Sequence, residues 1–278
     1  GVHLGHQRVI GEARDDAKAA GGASVALTFD PHPMRVLRPD QAPLLLTSTE
    51  HKLALIRQLG VDACLLVKFD KAFSETPAEK FVEQIAACRQ ICVGTRFRFG
   101  HDRRGDVRLL ETLAPRHGFT VKEIKSVLTS DGEMISSTAV RQHVLAGHLD
   151  RAAAMLGRPF SVLGSVEHGD HRGHELGFPT ANVNPHNEAL PPDGVYAVRV
   201  RLGGEALAGV VNIGVRPTFA GTARRLEVHI FDFDRRLYGR DMEIEFVKKL
   251  RDERKFESLE GLKQQITADV QAARKLLA

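Results

Sequence analysis

The 278-residue chain has no tryptophan, two tyrosines and three cysteines, and no apolar run approaches the ~18 residues that a membrane-spanning helix needs. So few thiols exclude a secreted disulfide framework, and the opening GVHLGHQRVI lacks the apolar core of a signal peptide. The reading is a reducing, cytoplasmic setting with no membrane partner. Aromatic residues are 6% of the chain, which offers few platforms for stacking bases. A nucleic-acid-binding module is therefore the weaker alternative to an enzyme, although a basic chain with a small barrel would permit it. Excess charge is also slight: 39 Lys and Arg against 35 Asp and Glu leave +4, which suits anionic small molecules without selecting among them. What is present, 42% hydrophobic and 27% charged residues, is the composition of a folded chain with a core. The length allows one large domain or two ordinary ones, at roughly 100–200 residues each.

Two rhythms divide the chain. Val9, Ile10, Ala13 and Ala17 repeat at three to four and predict a helix over 6–20, followed by a strand at 23–29. Thr47 and Glu50 form a capping box ahead of a helix that Gly60 stops, and a strand follows at 63–69. Thr76-Pro77-Ala78-Glu79 repeats the capping pattern, with a helix to about Cys88 and a strand at 90–93. A helix near 106–114, a strand near 119–124 and a helix from about 137 continue the alternation of a parallel sheet covered on both faces. After Leu156-Gly157-Arg158-Pro159 the apolar segments near 160–167, 194–202, 205–213, 226–232 and 242–248 come without helices between them and read as antiparallel strands. Leu259, Leu262, Ile266 and Val270 then predict one closing helix behind Ser258. The boundary is placed at 156, giving domains 1–156 and 157–278. Cys88 and Cys92 have no CxxC partner and are read as buried thiols.

Several short patterns carry chemistry. His3, Gly5 and His6 stand just before the first helix, where two imidazoles and free backbone N–H groups can face one anion. That pattern alone reads equally as a helix cap with incidental histidines. Ile135-Ser136-Ser137-Thr138-Ala139-Val140-Arg141 places Ser137 and Thr138 at a second helix start with Arg141 one turn in, either a polyphosphate grip or ordinary capping. Gly177-Phe178-Pro179-Thr180-Ala181-Asn182 follows Gly164, Gly169 and Gly173; by spacing alone it is a structural turn, though its oxygens would suit Mg²⁺. His168, His171 and His174 with Asp170 and Glu175 have the residue types of a zinc site. They sit in a glycine-rich loop without the fixed spacing of such sites, and the zinc reading is the weaker one.

HxGH early and SSTxxR late in one α/β domain resemble the nucleotidyltransferase superfamily, whose first signature class I aminoacyl-tRNA synthetases share. With Thr28-Phe29-Asp30-Pro31-His32-Pro33, Gly94-Thr95-Arg96-Phe97-Arg98-Phe99-Gly100 and the PTAN turn, the order of motifs resembles the bifunctional riboflavin kinase/FAD synthetase family. Arg96 stands where that family usually has Asn or Asp. The resemblance continues through Asp193-Gly194-Val195-Tyr196, Asn212-Ile213-Gly214-Val215-Arg216-Pro217-Thr218-Phe219, Leu226-Glu227-Val228-His229-Ile230-Phe231-Asp232-Phe233 and Leu250-Arg251-Asp252-Glu253.

The resemblance implies a Rossmann-like α/β nucleotidyltransferase domain followed by a mainly antiparallel, six-stranded β-barrel kinase domain with a C-terminal helix. An α/β nucleotide-binding half ordinarily opens on a central strand, and the reading expects that strand upstream of Gly1. The implied activities are phosphorylation of riboflavin to FMN and adenylylation of FMN to FAD, both using ATP with Mg²⁺. Glu227 maps to the general base of the kinase, although alternation alone allows a strand residue facing solvent. Thr180 and Asn182 map to the metal and phosphate contacts, with Gly169 and Gly173 ahead of them, and Arg251 and Phe256 to a flap over the flavin. His3, Gly5, His6, Ser137, Thr138 and Arg141 map to the triphosphate of the adenylyltransferase, with His6 and Arg141 catalytic. The implied partners are small molecules, not nucleic acid, and an oligomer is compatible with the sequence.

Overall fold

The computed structural model describes residues 1–168, 177–218 and 221–278, with the backbone alone for 216–218 and 221–223. The chain forms two compact units: Gly1–Pro43 with Thr49–Ser136, and Leu44–Ser48 with Ser137–Ala278.

In the first unit strand and helix alternate: α1 (Leu4–Ala19), β1 (Val25–Asp30), α2 (Pro33–Leu37), α3 (Thr49–Arg57), β2 (Ala63–Lys68), α4 (Lys71–Ser74), α5 (Ala78–Ile85), β3 (Gln90–Gly94), α6 (Val107–His117) and β4 (Thr120–Ile124). Pairing is parallel, as expected, in two separate pairs, β1 with β2 and β3 with β4. Cover is incomplete on β2, where Leu65 and Leu66 are exposed. The main core joins Phe81 and Val82 of α5, Val93 of β3, and Val107 and Leu110 of α6 around Phe99. A fully buried Val or Leu of this kind contributes about 1.5–3 kcal/mol. The sequence pattern slips at the caps. Helix α3 begins at Thr49, so Ser48 and not Thr47 stands at its cap position; α5 starts after Pro77 with no side-chain cap bond from Thr76 and ends at Ile85, short of Cys88. Cys88 is exposed, which corrects its reading as a buried thiol. Ending α5 three residues early leaves it on the surface turn before β3.

The second unit opens with α7 (Ser137–Ala146) and α8 (Leu149–Leu156), then closes six strands into an antiparallel barrel in the order β10-β5-β6-β9-β8-β7. These are β5 (Ser161–Glu167), β6 (Ala181–Pro185), β7 (Gly194–Leu202), β8 (Glu205–Thr218), β9 (Gly221–Ile230) and β10 (Asp241–Arg251). Among the described residues, closure leaves the barrel no free sheet edge. Period-two alternation fills the interior: Met242, Ile244 and Phe246 of β10 and Leu226 and Val228 of β9 are buried, while Arg225, Glu227 and His229 take the opposite face. The closing helix α9 (Leu259–Leu277), capped by Ser258, covers the outer face around Val195, Ala197 and Val210 through Val270 and Ala273. Residues 44–48 belong to this unit because its loops hold them. Leu45 N–H donates to Glu188 Oε2 at 2.9 Å, Glu188 and Ala189 N–H both donate to the Leu45 carbonyl at 3.0 Å, and buried Asn187 donates to the Leu46 carbonyl at 2.6 Å.

Candidate functional site

At the start of α1, His3 is the N-cap: its Nδ1 accepts from the His6 backbone N–H at 3.4 Å. An N–H can only donate, so the neutral ring of His3 carries its proton on Nε2. The two imidazoles stack at 3.8 Å, and Gly5 makes this possible, because a Cβ there would lie 3.1 Å from the His3 ring. Burial, then the charge of His6, pushes the His3 pKa down to about 3. His6 keeps an exposed edge, yet the protein packed around its ring pushes it down to about 4. Both rings are therefore neutral hydrogen-bond donors near pH 7. Exposed Arg96 is close enough to His3 to contribute to that lowering, which places the GTRFRFG loop beside the HxGH turn. The Ile135 carbonyl lies 4.0 Å from the position of a Cβ on Gly5, and two residues further on Ser137 starts α7. Ser137, Thr138 and Arg141 sit on that helix, which belongs to the second unit. There the half-buried Arg141 donates from Nε to the Leu44 carbonyl at 2.7 Å.

The second site is a row across the outer face of the barrel. Glu227 on β9 is directly opposite Asn182 on β6 and Asn212 on β8, so the three share one face. Asn182 is 7% exposed, and its Oδ1 has no hydrogen-bond partner among the described residues. An orphaned amide oxygen beside a carboxylate is the donor chemistry a hard cation takes, so these residues fit a magnesium ion. Exposed Thr180 stands two residues before it, on a turn that begins at Gly177 with φ +82°. His229 holds that turn: its Nδ1 is 2.8 Å from the Pro179 carbonyl, and its ring meets Phe178 edge-on at 5.6 Å. A carbonyl can only accept, so Nδ1 carries the proton.

Asn212, Gly214, Val215, Arg225, Glu227 and Glu253 line a small open cavity of about 50 Å³. Arg251 leaves β10 bound through Nε and a terminal nitrogen to the buried carboxylate of Asp269 on α9, at 2.9–3.2 Å. Its guanidinium lies 5.7 Å from the Phe256 ring and that of Arg254 4.8 Å. The structure therefore gives Arg251 an anchoring contact and brings Phe256 next to it. Gly169, Gly173, Asp170, His171, His174 and Glu175 lie outside the described residues; His168 stacks on Tyr238 at 4.1 Å. Sequence reading missed Asn212, His229 and Asp269. The first two were accessible through period two, since each shares the outward phase of Glu227; Asp269 had no local signal.

The FAD synthetase family matches residues 1–139 and the riboflavin kinase family residues 156–277. A bifunctional riboflavin kinase/FMN adenylyltransferase of Haemophilus influenzae is 39% identical over 279 residues, covering 99% of this chain and 90% of the relative. One from Pseudomonas fluorescens is 41% identical over 289 residues, covering 100% and 90%. A solved structure described as a macrolide-efflux protein from Streptococcus pneumoniae superposes with a TM-score of 0.86 and 30% identity, covering 98% of this chain and 90% of that one. Among the described residues of the present chain no helix is long and apolar enough to cross a membrane. With both halves matched in order and relatives aligned over nearly their whole length, the chain belongs to the bifunctional riboflavin kinase/FMN adenylyltransferase family.

Proposed function

We propose that the two reactions of the family are carried in this chain by separate sites, one around Glu227 on the barrel and one at the His3–His6 turn. The enzyme phosphorylates riboflavin to FMN with ATP, then transfers AMP from a second ATP to FMN, giving FAD and pyrophosphate. The kinase assignment rests on the Asn182–Glu227–Asn212 row beside the cavity. Glu227 takes the proton of the terminal ribityl hydroxyl as that oxygen bonds to the γ-phosphorus and the bond to ADP breaks. Asn182, with Thr180, would hold the magnesium ion, which when bound supplies positive charge to the phosphates. His229 keeps the Thr180 turn beside β9. Phe256, braced by Arg251 and Arg254, belongs to the segment that covers the flavin.

For adenylyl transfer, the neutral His3 and His6 donate N–H bonds to the triphosphate, and Arg141 with the Ser137 and Thr138 hydroxyls holds the departing pyrophosphate. On this reading the functional boundary falls at 156/157, so α7 and α8 serve adenylyl transfer although they belong to the same compact unit as the barrel. The three unpaired cysteines fit a cytoplasmic enzyme.

Chromatography of riboflavin, FMN and FAD with Mg-ATP tests the kinase half. Glu227→Gln keeps the shape but cannot take the proton, and FMN formation is expected to slow about 10²–10⁴-fold with riboflavin binding retained. Unchanged turnover would remove Glu227 from the mechanism.

A further inference from the structure

The cavity beside Glu227 contains a second carboxylate that the reaction as described does not use. Glu253 comes from the segment after β10, and three features fix where it enters. Arg251 is clamped by Asp269; Lys249 bonds Asp252 at 2.5 Å; and Gly194, with φ +147°, lets the Arg251 carbonyl come within 2.6 Å of where a Cβ would stand. The chain therefore leaves the barrel pressed against the start of β7. Two residues later Glu253 lies over β8, its Oε1 only 2.7 Å from the position of a Cβ on Gly214. Gly214 faces Arg225 across the β8–β9 ladder, next to the Asn212–Glu227 pair. One wall of the cavity thus holds Glu227 and Asn212, and the roof is Glu253.

The size and charge of this cavity narrow what fits. It offers about 50 Å³ to water-sized groups. At roughly 10–15 Å³ for each water-sized group it takes a short run of hydroxyls. Two carboxylates could suggest a further cation, but Arg225 lines the same space and places a positive charge against it, with Glu167 only 3.4 Å from its guanidinium. An uncharged polyol tolerates that mixture of signs, and its O–H groups donate to carboxylates and amide oxygens.

The geometry points to Glu253 as a specificity-determining residue of the kinase site, accepting a hydrogen bond from a ribityl hydroxyl next to the one that Glu227 deprotonates. This rests on Glu227 being the kinase base. The site then recognises the polyol chain as well as the ring. Gly214 is part of the device, because any side chain there would push the Glu253 carboxylate out.

The test compares riboflavin with lumiflavin, which has the ring but no polyol. Glu253→Ala is expected to raise the riboflavin KM about 10- to 100-fold, the range for losing a hydrogen bond to a charged group, with lumiflavin binding by fluorescence quenching unchanged. Adenylylation of supplied FMN by the same protein, also unchanged, reports that it is folded. Gly214→Ala is expected to raise KM similarly, and Gly214→Ala with Glu253→Ala no further than either alone. A wild-type riboflavin KM in Glu253→Ala, equal weakening of riboflavin and lumiflavin, or additive effects of the two substitutions would each overturn the assignment. Full turnover in Glu227→Gln would overturn the kinase base instead, so the two failures are distinguishable.

Discussion

His3, buried, and His6, stacked on it, show how one pair sets both a cap and a charge state. Their pKa values, pushed to about 3 and about 4, lie below the ordinary imidazole value of 6.5. The unfolded chain therefore binds more protons than the folded one below pH 6.5, and stability present above that pH is lost as pH falls towards 4 and 3. His3→Asn keeps a cap acceptor and removes one titrating group. In thermal unfolding of the first unit between pH 7 and 4, wild type is expected to lose Tm more steeply than His3→Asn. Parallel pH profiles would show that the His3 ring is protonated without cost. A different fate befalls Ser165, which has a serine–histidine–aspartate set around it but in the wrong order for a nucleophile. Its hydroxyl gives its one proton to Asp241 at 2.6 Å, so the contact to His186 Nε2 at 2.9 Å is one it accepts.

Among the elements, the loop from β3 to α6 depends most on single residues. Phe97 and Phe99 stack at 5.2 Å, and Phe99 enters the core. Gly100, with φ +72°, passes so close to α5 that a Cβ would lie 2.5 Å from the Ala78 Cα. Gly100→Ala is therefore expected to destabilise the first unit by roughly 2–4 kcal/mol, from a backbone region open only to glycine plus steric overlap. Calorimetry would check this, and a change of less than about 0.5 kcal/mol, ordinary for surface substitutions, would contradict it. The elements legible from sequence were those whose period matched their surroundings: β10, with Met242, Ile244 and Phe246 in phase, and α9 behind Ser258. Strand β6 was not legible as a strand. Ala181–Pro185 has one large apolar residue, Val183, and two asparagines, and it becomes a strand only because β5 and β9 pair with it on either side. The site divided similarly. Motif residues were legible through resemblance, whereas Asp269, 18 positions from the Arg251 it binds, depends on tertiary packing.

At the scale of the whole molecule, the two chemistries should fail separately. Thr180→Ala is expected to stop conversion of riboflavin while supplied FMN still becomes FAD. His6→Ala or Arg141→Ala should let FMN accumulate from riboflavin without FAD. Following all three flavins in one assay would decide it, and loss of both reactions from either lesion in folded protein would require one shared site. The segment Leu44–Ser48 has a consequence of another kind. It precedes most of the first unit in the chain but is built into the second, so residues 49–136 are topologically an insert within that second unit. The Leu45–Glu188 bond spans 143 positions. A ribosome releases the first half of that bond long before the second, and those five residues wait unpartnered while the insert is made. A gene divided at the apparent border would leave the later product without a piece of its own fold, and the earlier one with a peptide that has no place to dock.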